Sequence, residues 1–211
     1  MPFQLNFQLD AASVQKINSA AQTITLVKSV RSSVMSAQSS SDLLVAWLTF
    51  RPLMYDTVTW IDAYGLYATT QALQAGATIR MTSVSEGTIQ RGWLYTFENG
   101  VFNGQSGSGT TFNVQDGDSS YPMLTFGLAQ QATVNGQIVY APLNGVPALY
   151  NQQASFWPLE ALSIFLSSYD DNGVVISRIP GSALVVELTA QNPAANIGFN
   201  SADNTFYLES G

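Results

Sequence analysis

RGWLYTFENGVFNGQSGSGTTFNVQDGDSSYP, residues 91–122, opens with strict alternation: Trp93, Tyr95 and Phe97 share one side, and Gly92, Leu94 and Thr96 share the other. A period of two puts successive side chains on opposite faces of a β-strand. Asn99-Gly100 follows, a pair that supplies the positive φ of a tight hairpin turn. The chain then enters a tract of Gly, Ser, Asn, Asp and Gln, residues 103–120, in which Phe112 and Val114 are the large apolar groups. Excursions of this length usually serve as binding loops or linkers.

The same alternation recurs on both sides of that stretch. In FQLNFQL, Phe3, Leu5, Phe7 and Leu9 share a face, and Gln4, Asn6 and Gln8 take the other. In QTITLVKSV the period places Lys28 in line with Ile24 and Leu26. LLVAWLTF is apolar on both faces and reads as a buried central strand. Five Asn-Gly pairs, at 99, 103, 135, 144 and 172, punctuate the strands. Many short strands with such turns predict an all-β protein, an antiparallel β-sandwich with little helix. DAASVQKINSAAQ predicts one short helix capped by Asp10, and SSVMSAQSSSDLL a turn or two more. The chain of 211 residues is read as a single all-β unit. A faint similarity between its two ends suggests pseudo-repeat halves, residues 1–102 and 121–211, joined by the loop 103–120.

Composition excludes more than it selects. Only 10% of residues are charged, against about 25% in an ordinary domain. The net charge is −7, and the seven basic residues form no cluster. Nucleic acid is therefore not an expected partner. With no Cys and no His, thiol nucleophiles, thiolate or imidazole metal sites and the Ser-His-Asp triad are all absent. The longest apolar run, Leu43 to Leu48, is far too short for a membrane-spanning helix, and no signal-peptide pattern opens the chain. A location in the cytoplasm, or release without a signal peptide, is the expectation.

Other chemical motifs fail on inspection. Ser13-Val14-Gln15-Lys16 fits S-x-x-K but lacks its companion motifs, and GQSGSG fits no nucleophile elbow or phosphate loop. Asp62, Glu98, Glu160 and Glu187 lie in or beside strands, with nothing to mark a catalytic pair. Asp116-Gly117-Asp118 is an oxygen-rich turn, so Asp116 and Asp118 are the candidate ligands for Ca²⁺. No other cofactor is expected.

The remaining signal is aromatic. Eleven Phe, nine Tyr and four Trp accompany a surface rich in hydroxyls and amides. Rings with polar tips suit the apolar faces of sugars, and Asp and Asn suit their hydroxyls. The candidate ligand-binding residues are therefore Trp60, Asp62, Tyr64, Trp93, Tyr95, Asn99, Asn103 and Tyr121. In overall character the chain is similar to cysteine-free, leaderless all-β lectins and cytolysins. The expected function is non-catalytic, lectin-like recognition of glycans or glycolipids, with a homo-oligomer as the expected state. A membrane-active, pore-forming β protein that docks on a membrane surface and a self-assembling structural protein are the alternatives.

Overall fold

The alternating sequence becomes strand almost throughout. The structure, a computed structural model, describes residues 2–34 and 43–209. In chain order it runs β1 (Pro2–Gln8), α1 (Ala11–Ser19), β2 (Thr23–Val34), β3 (Leu43–Ala46), β4 (Leu48–Phe50), β5 (Tyr55–Ile61) and β6 (Gly65–Thr69). Then follow β7 (Ser83–Val84), β8 (Leu94–Glu98), β9 (Val101–Gln105), β10 (Phe112–Asp116), β11 (Met123–Val134) and β12 (Gln137–Pro142). The chain closes with β13 (Asn144–Leu149), β14 (Gln153–Ser167), β15 (Val174–Ile176), β16 (Leu184–Glu187), β17 (Ala194–Asn200) and β18 (Thr205–Leu208).

Two mixed sheets pack together. The larger runs β15-β3-β13-β11-β5-β1-β17-β18, with β12 and β6 also on β11 and β7 on β6. The smaller runs β4-β2-β14-β10-β8-β9, with β16 on β14. Two pairings are parallel, β1 with β17 and β8 with β10, which corrects the expectation of purely antiparallel sheets. In both cases no hairpin joins the pair, so nothing forces antiparallel entry. The hairpin partner β9 already occupies one edge of β8, and the chain returns to the other edge as β10.

The core lies between the sheets. Phe7–Phe50, Tyr64–Phe112 and Phe97–Phe126 join rings across it at centroid distances of 5.7, 5.4 and 5.6 Å. Trp47 is fully buried, as its doubly apolar strand implied. One core cluster takes in Phe3 at one end of the chain and Phe206 at the other. Strands from before residue 103 pair with strands from after residue 120 in both sheets, through β1–β17, β5–β11 and β2–β14.

Turn chemistry divides in an instructive way. Asn99-Gly100 and Asn135-Gly136 have positive φ at both residues and close the β8–β9 and β11–β12 hairpins. Asn103-Gly104 and Asn144-Gly145 instead lie inside strands. There the glycine is needed for room: a Cβ on Gly104 would sit 2.7 Å from the Tyr95 ring. The tract 103–120 is accordingly only partly loop, because it holds the end of β9 and all of β10. Helix α1 forms where expected, with Asp10 Oδ1 accepting from Ser13 N at 2.7 Å. The second helical expectation fails at its start, where Ser32–Val34 complete β2, and residues 35–42 lie outside the described residues. No described helix is long and apolar enough to cross a membrane.

Candidate functional site

Strand β5 has two opposite characters, one on each face. Its inward residues, Asp56, Val58 and Trp60, are buried. Its outward residues, Tyr55, Thr57, Thr59 and Ile61, are exposed or half-buried.

The inward side meets a buried charge cluster. Lys28, from β2, has a fully buried side chain. Its Nζ donates to Glu160 Oε1 and Oε2 (2.7 and 2.9 Å), Gln130 Oε1 (2.9 Å) and Tyr64 Oη (3.1 Å). The rings of Trp47, Trp60 and Tyr64 surround it, with centroids 5.6, 5.6 and 5.2 Å away. Glu160 also accepts from Trp60 Nε1 (2.8 Å) and Tyr64 Oη (2.9 Å). It reaches inward because β14 carries an irregularity between Pro158 and Leu162, where its pairing with β2 skips register. Burial lowers the Lys28 ammonium to about 8, against the opposing pull of Glu160. Burial, and then the Glu160 charge, push the Tyr64 phenol far above its ordinary value. The cluster joins both sheets with every group satisfied, and Lys28 itself is shut off from solvent. Its chemistry is that of a strut.

The outward side belongs to a face whose strands present no charged side chain. Along β1 it presents Gln4, Asn6 and Gln8, in register with Thr59, Thr57 and Tyr55 of β5. Along β11 and β12 it presents Gln131 and Thr133, opposite Tyr140 and Ile138. On the far flank come Asn196 and Gly198 of β17, with Tyr207 of β18 beside Gly198. No outward position on these strands, among the described residues, is Asp, Glu, Lys or Arg. Two tyrosines reach over glycines: a Cβ on Gly65 would collide with the hydroxyl of Tyr140, and one on Gly198 with the outer ring and hydroxyl of Tyr207. Aromatic cover of a strand glycine fills the gap and fixes the ring.

At the β12 end this face deepens into a cleft of about 530 Å³. Tyr140, Gln131, Thr133 and Thr59 line its sheet side, and Ser85 and Thr88 line the opposing segment. That segment is pinned to β6 and the residue before it. Ser85 Oγ accepts from Leu66 N (3.0 Å), Ser85 N donates to Leu66 O (2.9 Å), and Ile89 N donates to Tyr64 O (2.9 Å). Gln130 ties the cleft to the strut, because its Nε2 donates to the carbonyl of Ile61 at the cleft rim (2.7 Å) while its Oε1 holds Lys28. Burial raises the Tyr140 phenol above its ordinary value, so it stays a neutral donor and acceptor. None of the residues lining the cleft is charged.

The residues expected to bind are scattered by the fold. Trp60 and Tyr64 belong to the core and also line the cleft, whereas Tyr95 is core and Trp93 packs half-buried against it, away from the cleft. Of that group only Asp62 is well exposed, and it pairs with Arg91 at 3.2 Å. Asn99 and Tyr121 do meet in a hollow of about 540 Å³, together with Asp118. Asn103 is exposed on β9, outside that hollow. Asp116 and Asp118 are both buried, and each accepts from its own turn: Asp118 N to Asp116 Oδ1 and Ser120 N to Asp118 Oδ1, both 3.0 Å. No group of three or more acidic residues gathers as a metal site among the described residues. Tyr55, Tyr140, Gln131 and Thr133 were not singled out beforehand. Their one signal was that the polar halves of the alternating strands carry amides and hydroxyls where charges usually stand. The chain matches no protein-family model, no curated protein and no solved structure.

Proposed function

We propose that the protein is a non-catalytic binding module, on a β-sandwich scaffold, that holds a neutral glycan in the cleft beside Tyr140. The observation that carries this reading is a cleft of about 530 Å³ lined without a single charged residue. An uncharged wall that sets hydroxyls and the Gln131 amide among apolar groups such as Ile61, Val84 and Ala132 can exchange hydrogen bonds with sugar hydroxyls and leaves no buried charge to desolvate. The half-exposed ring of Tyr140 offers an apolar face with a polar tip. Ligands carrying carboxylate, sulfate or phosphate find no cation there, so the reading selects neutral sugars.

A glycan array that includes neutral and acidic glycans tests this. Binding confined to neutral glycans, lost in Tyr140→Ala and kept in Tyr121→Ala, is the expected result. Loss in Tyr121→Ala alone would move the site to the hollow around Asn99. Absence of any glycan signal, with dye released from liposomes, would instead favour the pore-forming alternative.

A further inference from the structure

We infer that the ligand of the outer face is a linear oligosaccharide held at two subsites, the cleft and a second groove at the opposite end of β5. The inference rests on the glycan reading above and extends it from a sugar to a chain.

The second groove, about 260 Å³, is lined by Asn6, Gln8, Tyr55, Thr57, Asn196 and Glu209, with backbone of β1 and β5 beneath. Two of its amides, Asn6 and Asn196, form a relay with Gln4 farther along β1. Gln4 Nε2 donates to Asn6 Oδ1 (2.6 Å), and Asn6 Nδ2 donates to Asn196 Oδ1 (3.0 Å). The relay orients the amides and leaves an acceptor, Gln4 Oε1, at one end and a donor, Asn196 Nδ2, at the other. Sugar hydroxyls, each both donor and acceptor, can pair with either end of the relay. Tyr55, 69% exposed, supplies the ring beside the groove. Glu209 at the rim adds one carboxylate acceptor for hydroxyls.

The two sites share one face and one strand. Ile61 lines the cleft and Tyr55 the groove, at the two ends of β5. In an extended strand that separation is about 20 Å. Between those ends Thr57 belongs to the groove and Thr59 to the cleft, both uncharged and outward, so the two sites adjoin at mid-strand. One small sugar cannot touch both ends, whereas a short linear chain can, and joining two weak contacts raises affinity without new chemistry.

Titration calorimetry on the full chain tests this with mono- to hexasaccharides of glucose, mannose, galactose and N-acetylglucosamine. For the sugar that binds, affinity should rise by about tenfold or more from disaccharide to hexasaccharide. Tyr55→Ala should remove that gain and leave disaccharide binding in place, while Tyr140→Ala should lose both. A hexasaccharide that binds no tighter than a retained disaccharide overturns the second subsite and spares the glycan reading. If no sugar of any length binds, the reading itself falls and the inference with it. Sedimentation at several concentrations covers the other occupant: a dimer abolished by Tyr55→Ala, with no length dependence, would assign the groove to a second copy of the chain.

Discussion

The two sides of β5 invert the usual arrangement of a soluble protein. Its inner side looks onto a lysine and a glutamate, and its outer side contributes to a broad face whose strands present no charged side chain, with Glu209 only at its rim. Most domains bury apolar groups and spread charge over the surface. Here a buried ion pair within the smaller sheet is tied to the larger one through Gln130, Trp60 and Tyr64, and exposed neutrality leaves a surface suited to a neutral, hydroxyl-rich partner. The comparison separates two roles that aromatic residues play in this chain. Trp47, Trp60 and Tyr64 serve the strut, while Tyr55, Tyr140 and Tyr207 serve the surface.

Breaking the inner side should have the largest effect. Trp60→Ala removes a buried indole and a hydrogen bond to Glu160, and should cost about 3–5 kcal/mol in denaturant unfolding. Glu160→Ala leaves Lys28 buried without its counter-charge and should cost about 3 kcal/mol. The double change Lys28→Met with Glu160→Leu should cost less than Glu160→Ala alone, because no charge is left stranded. If the double variant is the less stable of the two, the cluster is not the strut described here.

Acidity sharpens the same side. Lys28 titrates at about 8 in the folded chain against 10.5 ordinarily. Between those values the unfolded chain holds the proton that the folded chain has released. This group's contribution therefore rises as pH goes from about 8 to 10.5, is full above that window, and is lost as pH falls back through 8. Unfolding free energies measured across the window should climb more steeply in the wild type than in Lys28→Met. Equal slopes would show that the lysine is not the titrating group.

The outer side should respond in the opposite way, with small changes in stability and large ones in binding. Thr59→Lys puts a charge on the neutral face and should move stability by about 0.5 kcal/mol or less. It should nonetheless weaken the neutral glycan selected by the array.

Much of the architecture was readable from residue order. The period-two runs gave the strands, Asp10 gave the helix start, and Asn99-Gly100 and Asn135-Gly136 gave two hairpin turns. Lys28 even stood in line with Ile24 and Leu26, the face that the structure buries. What alternation cannot convey is which face turns inward. For Trp93, Tyr95 and Phe97, the core took the ring side, and Gly104 let the neighbouring strand close against Tyr95. Nor could local pattern reveal the parallel pairs, whose partners are set by distant contacts. In the run 77–83, which alternates like a strand, Thr78 makes an isolated bridge and Ser83 opens the two-residue β7. The cleft stayed hidden for the same reason, since Thr59, Ser85, Gln131 and Tyr140 come together only through sheet order.

The most direct test of the central claim is a titration of Tyr140→Ala and wild type with one array-selected neutral oligosaccharide, followed by thermal unfolding of both. An outer face that binds through its neutral cleft predicts affinity lowered by about tenfold or more with unfolding nearly unchanged. Undiminished affinity in a folded Tyr140→Ala protein would contradict it.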